Sequence, residues 1–287
     1  MPDVRPTAIL LLSCHDQQGI VAEVAGFLYR HHGNIVDAEQ HTDADEDVFF
    51  QRVEFELEGF DLAREEIATA FAPIGERFGM QVDLRFSDEP ARVAVLASKQ
   101  PHCLYDLLTR WRTGELAIEI PLVISNHPDH ADVAGWFGVE FLHLPVTPET
   151  KAAQEAQVNR ALRDRAIDLV VLARYMQILT PGFTEAWPNR IINIHHSFLP
   201  AFIGAHPYHQ AHDRGVKIVG VTAHYATAVL DDGPIIAQDV VAVSHRDAVA
   251  DLVRKGRDLE VAVLARAGRA HVEHRVLVYG RKTVVFG

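Results

Sequence analysis

Short stretches in the C-terminal two thirds of the chain are apolar at almost every position, and they constrain the fold more than any other feature. The clearest are residues 92–96 (RVAVL) and 167–173 (IDLVVLA). Strands that are buried on both faces belong to parallel sheets with helices on each side. Segments with helical spacing at 103–112 and 151–165 lie between such stretches. The sequence therefore predicts a doubly wound, mostly parallel α/β unit.

The first 87 residues follow a different pattern. Predicted strands at 7–13, 35–41, 49–57 and 80–86 are separated by segments with helical spacing that begin at Ile20 and Leu62. This βαββαβ order is that of a ferredoxin-like unit, in which two helices cover one face of an antiparallel sheet. Residues 87–90 (SDEP) then interrupt the pattern as a linker does. We therefore predict an N-terminal domain at 6–87 and a second domain at 91–287.

Composition and charge argue against several classes of function. The 287 residues carry a formal net charge of -12, and we find no lysine and arginine cluster of the kind that binds nucleic acid or an anionic membrane. No apolar run approaches the ~20 residues that span a bilayer, and the N-terminus lacks the pattern of a signal peptide. Cys14 and Cys103 are too few for a disulfide framework, and free thiols fit a reducing compartment. We expect a cytoplasmic protein that binds neither nucleic acid nor membrane.

Polar residues gather at the end of the predicted strand 191–195. Asn193 and His195 are two residues apart, so their side chains share one face of that strand. Ligands of open α/β sheets bind at the carboxyl ends of strands, where an amide beside an imidazole suits a developing oxyanion. The next strand carries Thr222 and His224 on one face, and an acidic turn at Asp231 follows it. A carboxylate there that reached His195 would favour the imidazolium and order a water.

The residues around this pair resemble the signature of the formyltetrahydrofolate-dependent formyl transferases and hydrolases. The matching segments are Asn193-Ile194-His195-His196-Ser197-Phe198-Leu199-Pro200, Thr222-Ala223-His224 and Leu230-Asp231-Asp232-Gly233-Pro234-Ile235. The resemblance implies that Asn193, His195 and Asp231 are catalytic, because the family does not require an acid at Asp232. It implies substrate binding by Thr222 and His224. Residues 174–180 (RYMQILT) resemble the family's folate loop, which implies that the pterin is wrapped by Met176, Gln177, Ile178 and Leu179.

Within that family the chain most resembles the deformylases. The N-terminal unit is similar to an ACT domain, which the simple transferases lack, and the second domain is similar to a formyltransferase domain. The resemblance implies hydrolysis of 10-formyltetrahydrofolate to tetrahydrofolate and formate, in one-carbon and purine metabolism, with no metal and no cofactor beyond the folate substrate.

One loop departs from the transferase pattern. The glycinamide ribonucleotide transferases hold the phosphate of their acceptor in a glycine-rich loop after the first strand, where backbone N–H groups suit an anion. Here that loop is 97–103 (ASKQPHC), which has no glycine and includes Pro101, a residue without an N–H. Lys99 would still attract a phosphate. The departure favours water over an amine as the nucleophile.

Two other functions stay open at this level. A formyltransferase would need an added amine acceptor. A non-catalytic regulator that binds folate or an amino acid would not need Asn193, His195 and Asp231 together.

The ACT resemblance implies an amino-acid effector, such as glycine or methionine, and a homo-oligomer of two or more chains. Asp16, Gly19 and Asn34 are the candidate effector-binding residues, because they lie where ACT domains often bind small amino acids. Helix capping and packing between subunits would explain the same residues equally well.

The sequence also offers a metal site and a cysteine nucleophile as alternatives. His206, His209 and His212 have a spacing that places them on neighbouring positions of a helix, but the chain has neither an H-E-x-x-H motif nor paired cysteines. We favour surface histidines over metal ligands, with His206 near enough to the site to touch substrate. Cys103 follows a predicted strand near a helix N-terminus, where a thiolate is stabilised; we favour a packed thiol.

Overall fold

The chain divides into two compact units in the computed structural model, which describes residues 5–201 and 207–287. The first unit runs to Pro90 and includes the C-terminal segments Glu273–Leu277 and Val284–Gly287. The second contains Ala91–Val272 and Val278–Thr283. The change of unit thus falls at the polar stretch 87–90, but part of the C-terminus belongs with the first unit and not with the second.

The first unit is a four-stranded antiparallel sheet with two helices. Its elements are β1 Thr7–His15, α1 Ile20–Arg30, β2 Ile35–Asp43, β3 Val48–Glu56, α2 Arg64–Phe78 and β4 Gln81–Phe86. The strand order is β2-β3-β1-β4, with every neighbouring pair antiparallel. This arrangement confirms the predicted ferredoxin-like fold.

One face of β1 forms the centre of the core in the first unit. Leu10 and Leu12 point to the same side of the strand and are completely buried. They pack in one cluster with Phe27 of α1 and with Phe71 of α2. Burying a side chain of this size contributes about 2 kcal/mol, so the pattern of β1 fixes both helices on the same face of the sheet.

Helix α2 is longer than the sequence pattern predicts. Helical spacing predicts a helix from Leu62 to Phe71, and Pro73, which cannot donate the helical hydrogen bond, follows that segment. The helix instead continues to Phe78, whose ring is buried in the same core. Burial of Phe78 offsets much of the roughly 3 kcal/mol that an interior proline costs.

The second unit is built on a seven-stranded sheet of order β11-β10-β9-β8-β5-β6-β7. Its elements are β5 Ala91–Ala97, α3 His102–Arg112, β6 Ile118–Ser125, α4 Ala131–Phe137, β7 Glu140–His143, α5 Lys151–Asp164, β8 Leu169–Ala173, α6 Pro181–Glu185, β9 Ile191–His195, α7 Pro207–Arg214, β10 Ile218–Tyr225, β11 Ile235–Ala242 and α8 Val249–Val272. Strands β5 to β9 are parallel, and β10 and β11 join antiparallel at one edge. The predicted doubly wound, mostly parallel fold is confirmed.

The sequence pattern did not predict several short elements. Helices α4 and α6 have seven and five residues, too few for helical spacing to be visible. The hairpin of β12 Val276–Tyr279 and β13 Lys282–Val285 was also not expected. Helical spacing predicts a final helix over 248–266, and α8 extends six residues beyond Arg266. Among the described residues, no helix combines the length and apolarity needed to cross a membrane.

Strand order places the polar residues of β9 at the ligand-binding edge of the sheet. The order reverses at β5, which lies between β8 and β6, and crevices form at the carboxyl ends of strands near such a point. Strand β10 pairs His195 with Thr222 and Asn193 with His224. Directly paired residues share one face of an antiparallel pair, so both pairs predicted from the sequence lie on the same side.

Candidate active site

A cleft of about 360 Å³ opens at the carboxyl ends of β8 and β9. Residues 174–179, which follow β8, form one wall, and residues 226–231, between β10 and β11, form another. The structure brings most of the predicted catalytic and substrate-binding residues to this cleft: Met176, Gln177, Ile178, Leu179, Asn193, His195, His224 and Asp231.

Asp231 orients the ring of His195. The Nδ1 atom of His195 lies 3.2 Å from Oδ1 of Asp231. Burial would raise the pKa of Asp231, but the hydrogen bond from His195 and the nearby ring of His224, whose Nε2 atom is 3.8 Å from Oδ1, outweigh it and hold the pKa well below its ordinary value. The carboxylate therefore stays ionised, and its contact with Nδ1 fixes the orientation of the His195 ring.

The second nitrogen of His195 is left for a ligand. His195 is only 6% exposed and borders the cleft. Within residues 5–201 and 207–287, its buried Nε2 atom has no hydrogen-bond partner. A buried polar atom without a partner is costly, so a molecule in the cleft that bonded to Nε2 would gain from it.

His224 fixes the amide of Asn193. Its Nδ1 atom lies 2.9 Å from the backbone oxygen of Tyr225, which only accepts, so Nδ1 carries a hydrogen. In the neutral ring Nε2 is then an acceptor, and it lies 3.2 Å from Nδ2 of Asn193. The NH₂ group of Asn193 therefore faces His224, and its second hydrogen is available to a carbonyl oxygen in the cleft.

His196 lies beside the site as a neutral base. It borders the cleft, and its ring centroid is 5.3 Å from that of His195. Burial, followed by the nearby charges of Arg174 and His195, lowers the pKa of His196 to about 4. The ring is therefore uncharged at neutral pH.

The depressed pKa of His196 predicts a pH dependence of stability. Below its ordinary pKa of about 6.5 the unfolded chain takes up a proton that the folded chain refuses until about pH 4. Stability should therefore fall as pH drops from about 6.5 to about 4, by on the order of 3 kcal/mol from this group. The free energy of unfolding, measured with urea at several pH values, should depend less on pH in His196→Gln than in wild type. His212→Gln, at an exposed position, is the matched control and should keep the wild-type pH dependence. An equal pH dependence in wild type and His196→Gln would contradict the assignment.

The wall that follows β8 is anchored by residues that sequence reasoning did not identify. The backbone N–H of Met176 donates to Oγ of Ser98 over 3.0 Å. The ammonium of Lys151 donates to the backbone oxygen of Ile178. The backbone N–H of Thr180 donates to Glu155 over 3.0 Å. Lys151 and Glu155 are one helical turn apart on α5, and this spacing is the feature of the sequence that could have pointed to them as a pair.

Known proteins are similar to this chain over nearly its whole length. The formyl transferase family matches residues 91–267, and the ACT domain family matches residues 8–71. A formyltetrahydrofolate deformylase of Synechocystis sp. is 59% identical over 280 residues, which are 98% of each chain. This chain belongs to the formyltetrahydrofolate deformylase family. The crystal structure of a formyltetrahydrofolate deformylase from Pseudomonas syringae pv. tomato has a TM-score of 0.97 at 47% identity, over 100% of this chain and 96% of that one.

Part of this deformylase-family chain is also similar to a transferase. Glycinamide ribonucleotide transformylase 1 from Symbiobacterium toebii has a TM-score of 0.66 at 35% identity, over 71% of this chain and 98% of that one. The fold of the second unit is therefore shared between proteins named for hydrolysis and proteins named for formyl transfer.

Thr222 does not border the cleft in this member of the deformylase family. Its side chain is completely buried and its hydroxyl donates to the backbone oxygen of Ser197 over 2.9 Å. The hydroxyl oxygen of Thr222 itself accepts hydrogen bonds from Leu199 N over 3.0 Å and from Gln238 Nε2 over 2.9 Å. Thr222 thus holds the segment after β9 in place, a role that differs from the substrate contact implied by the resemblance.

The candidate effector residues do not converge within one chain of this deformylase-family protein. Gly19 precedes α1 with φ of 96°, and Asp16 lies at the same end. Asn34 lies beyond the other end of α1, where its amide donates to Glu56. The 11 residues of α1 separate the two ends by about 16 Å. One small amino acid cannot touch both within a single chain, so the three residues do not form one site there.

The geometry gives little support to a metal site or to a cysteine nucleophile. His206 lies outside the described residues, and His209 and His212 are on exposed positions of α7. Ligand atoms of His102, Cys103 and Glu260 lie within 4.8 Å of one another, but the Glu260 carboxylate is already bound by His102 and has Arg174 3.4 Å away. Burial raises the pKa of the Cys103 thiol well above its ordinary value, which fits a packed thiol.

Proposed function

We propose that this member of the deformylase family hydrolyses 10-formyltetrahydrofolate to tetrahydrofolate and formate. The observation that carries the proposal is the convergence of Asn193, His195 and Asp231 at one cleft, with Nε2 of His195 unpartnered among the residues that the structure describes. A donor, a base and a fixed carboxylate are the groups that acyl transfer to water needs.

Folate binding is assigned to the wall formed by residues 176–179. Met176 and Ile178 are more than half exposed along the cleft, although both are apolar. Apolar side chains beside fixed backbone polar groups are typical of a pocket for a flat heterocycle. In this arrangement the pterin lies against residues 176–179, and the formyl group lies over Asn193 and His195.

The proton steps follow from the charge of Asp231. Its depressed pKa makes it a poor proton acceptor, so it orients His195 and a water without taking a proton itself. Nε2 of His195 accepts a proton from water as the water oxygen bonds to the formyl carbon. The resulting oxyanion accepts hydrogen bonds from the Asn193 amide and from the new imidazolium. The carbon–N10 bond then breaks, N10 takes the proton from His195, and formate leaves.

The reaction so assigned uses no metal and no cofactor beyond the folate. The oxyanion is stabilised by the amide of Asn193 and by the imidazolium that His195 becomes when it accepts the proton from water. Treatment with a chelator and dialysis should leave kcat unchanged, and loss of activity that returns with a divalent cation would overturn this part of the proposal.

The turn that carries Asp231 provides a geometric test of the mechanism. Gly233 lies so close to β10 that a Cβ would be 1.7 Å from the backbone oxygen of Tyr225. We expect Gly233→Ala to move the turn and to lower kcat/KM by about 10²-fold, because a shift of about 1 Å at a reacting group has an effect of that size. Gly182→Ala is the control, since a Cβ there meets nothing within 4 Å. Equal kcat/KM in both variants would show that the turn does not position Asp231 for catalysis.

The function itself is tested by incubating the purified protein with 10-formyltetrahydrofolate and no amine. Release of equal amounts of formate and tetrahydrofolate supports the hydrolase. Release only after an amine is added would establish a formyltransferase, and binding without turnover in either case would indicate a regulator.

We further propose amino-acid regulation in a cytoplasmic homo-oligomer. The match of residues 8–71 to the ACT domain family supports an amino-acid effector. The free, buried thiols of Cys14 and Cys103 fit a reducing compartment. Adding glycine or methionine to the hydrolysis assay should change kcat/KM, and light scattering should give a mass of two or more chains.

A further inference from the structure

A buried tyrosine lies next to the catalytic groups, on the other face of the sheet. Tyr225 is the last residue of β10 and is 2% exposed. Its neighbour His224 borders the cleft, and adjacent residues of a strand point to opposite faces. The ring of Tyr225 therefore points away from the cleft, and its hydroxyl lies 2.7 Å from Nδ1 of His271 in α8.

The hydrogen bond to His271 fixes where the tyrosine lies relative to α8. Burial raises the pKa of Tyr225 well above its ordinary value, so the hydroxyl keeps its proton and can donate it to the imidazole. A buried hydroxyl that loses its partner costs about 1–3 kcal/mol. The two rings also meet edge to face, with centroids 5.7 Å apart. The side chain of Tyr225 is thus held by a bond and by a ring contact at the same place.

The backbone of Tyr225 is bonded to both sides of the catalytic site. Its carbonyl oxygen accepts the hydrogen bond from Nδ1 of His224 that sets the direction of the Asn193 amide. Its N–H donates to the backbone oxygen of Pro234 over 2.9 Å, and Pro234 belongs to the turn that carries Asp231. The oxyanion donor and the carboxylate therefore both depend on the position of this one residue.

The backbone around this residue is irregular and needs such support. The register of β10 and β11 shifts between Ala223 and His224, the pattern of a β-bulge, which redirects side chains near active sites. Asp231 has a φ of 54°, in the left-handed region that residues other than glycine adopt at a cost. A backbone of this kind persists only where its surroundings hold it. The hydrogen bond between Tyr225 and Pro234 is one of the contacts that do so.

We propose that Tyr225 is a positioning residue of the hydrolysis: its hydrogen bond to His271 fixes the end of β10 and, through it, the Asn193 amide and the Asp231 carboxylate. The inference rests on the hydrolysis proposed above. Tyr225 acts through other residues and does not touch the folate, so its contribution should appear in the rate of the chemical step.

Folate binding should not depend on this pair. Residues 176–179 follow β8 and are anchored by Ser98 and by side chains of α5. Asn193 and Asp231 instead serve the charge that develops in the transition state, and groups of that kind affect kcat more than KM. Disturbing the hydrogen bond of Tyr225 should therefore lower kcat and leave KM near the wild-type value.

The test compares Tyr225→Phe, which removes the hydroxyl and keeps the ring, with wild type. We expect kcat for 10-formyltetrahydrofolate to fall about tenfold with KM unchanged, less than the roughly 10²-fold that follows a shift of about 1 Å at a reacting group. We express kcat per folate-binding site, counted by calorimetric titration with tetrahydrofolate, so that unfolded protein does not enter the value.

A second tyrosine and histidine pair provides the matched control. The hydroxyl of Tyr105 lies 3.2 Å from Nδ1 of His130, and Tyr105 does not border the cleft. Tyr105→Phe makes the same chemical change and should leave kcat at the wild-type value. An equal fall of kcat in Tyr105→Phe and Tyr225→Phe would overturn the inference.

Variants of His271 test the same bond from its other end. His271→Ala should lower kcat as Tyr225→Phe does, and the double variant should be no slower than the slower single variant, because the two changes remove one shared hydrogen bond. His271→Asn should recover most of the activity, since its side-chain amide can accept from the hydroxyl near the position of Nδ1.

Two kinds of failure can be told apart. A wild-type kcat in Tyr225→Phe, or losses in the two single variants that multiply in the double variant, would overturn the inference alone if wild type still releases formate. No formate from wild type would overturn the proposed function instead.

Discussion

Replacing Asp231 with asparagine should lower kcat/KM for 10-formyltetrahydrofolate by about 10³–10⁴-fold, the range seen when a carboxylate that orients a catalytic histidine is neutralised. The amide is nearly the same size, so the turn and the cleft should persist. The lost function is electrostatic, because the ionised Asp231 accepts the hydrogen bond from His195 and holds its ring in place. Affinity for tetrahydrofolate, measured by calorimetry, should stay within a few-fold of wild type.

The neighbouring acid provides the control for this substitution. Asp232 is paired with Arg281 and does not border the cleft. Asp232→Asn makes the same chemical change one residue away and should keep kcat/KM near the wild-type value. If the two variants lost equal activity, or if Asp231→Asn turned over at the wild-type rate, the role given to Asp231 would be wrong.

Replacing Asn193 with alanine should lower kcat by about 10²–10³-fold with little change in KM, the effect of removing one oxyanion donor. The Nδ2 group of Asn193 is held by His224, which leaves its second hydrogen for the oxygen of the intermediate. That bond strengthens only as negative charge develops, so the loss should appear in kcat and not in KM.

A structural asparagine separates this effect from simple destabilisation. Asn159 accepts a hydrogen bond of 2.7 Å from Trp187 and lies away from the cleft. Asn159→Ala should lower the free energy of unfolding by about 1 kcal/mol and leave kcat unchanged. A loss in Asn193→Ala that fell on KM alone would assign Asn193 to binding and not to the transition state.

The parts of the fold that follow from periodicity could be predicted from the sequence. The apolar stretches that became β5 and β8 have no polar face, and that property alone predicts a covered parallel sheet. The spacing of Asn193 and His195 places them on one face because strands repeat every two residues. The antiparallel register that pairs these residues with His224 and Thr222 depends on the path of the chain between β9 and β10, which no local pattern encodes.

The remainder of the site depends on contacts between distant residues. Glu260 and His102 are 158 positions apart and meet only because α8 packs beside α3. Nothing local marks Glu260 on a long helix rich in charged residues. The positions of Asp16, Gly19 and Asn34 relative to one another could not be predicted either, because the 11 residues of α1 lie between the two turns. Thr222 is a similar case, since its place on the correct face did not decide which neighbour its hydroxyl would find.

The most direct test of the account is the origin of the oxygen in the product. The purified protein is incubated with 10-formyltetrahydrofolate in water enriched in oxygen-18, without any amine, and the formate is analysed by mass spectrometry. The account predicts that each formate carries one oxygen from solvent and that its amount equals that of tetrahydrofolate. Absence of labelled formate, with turnover restored by an amine, would contradict it.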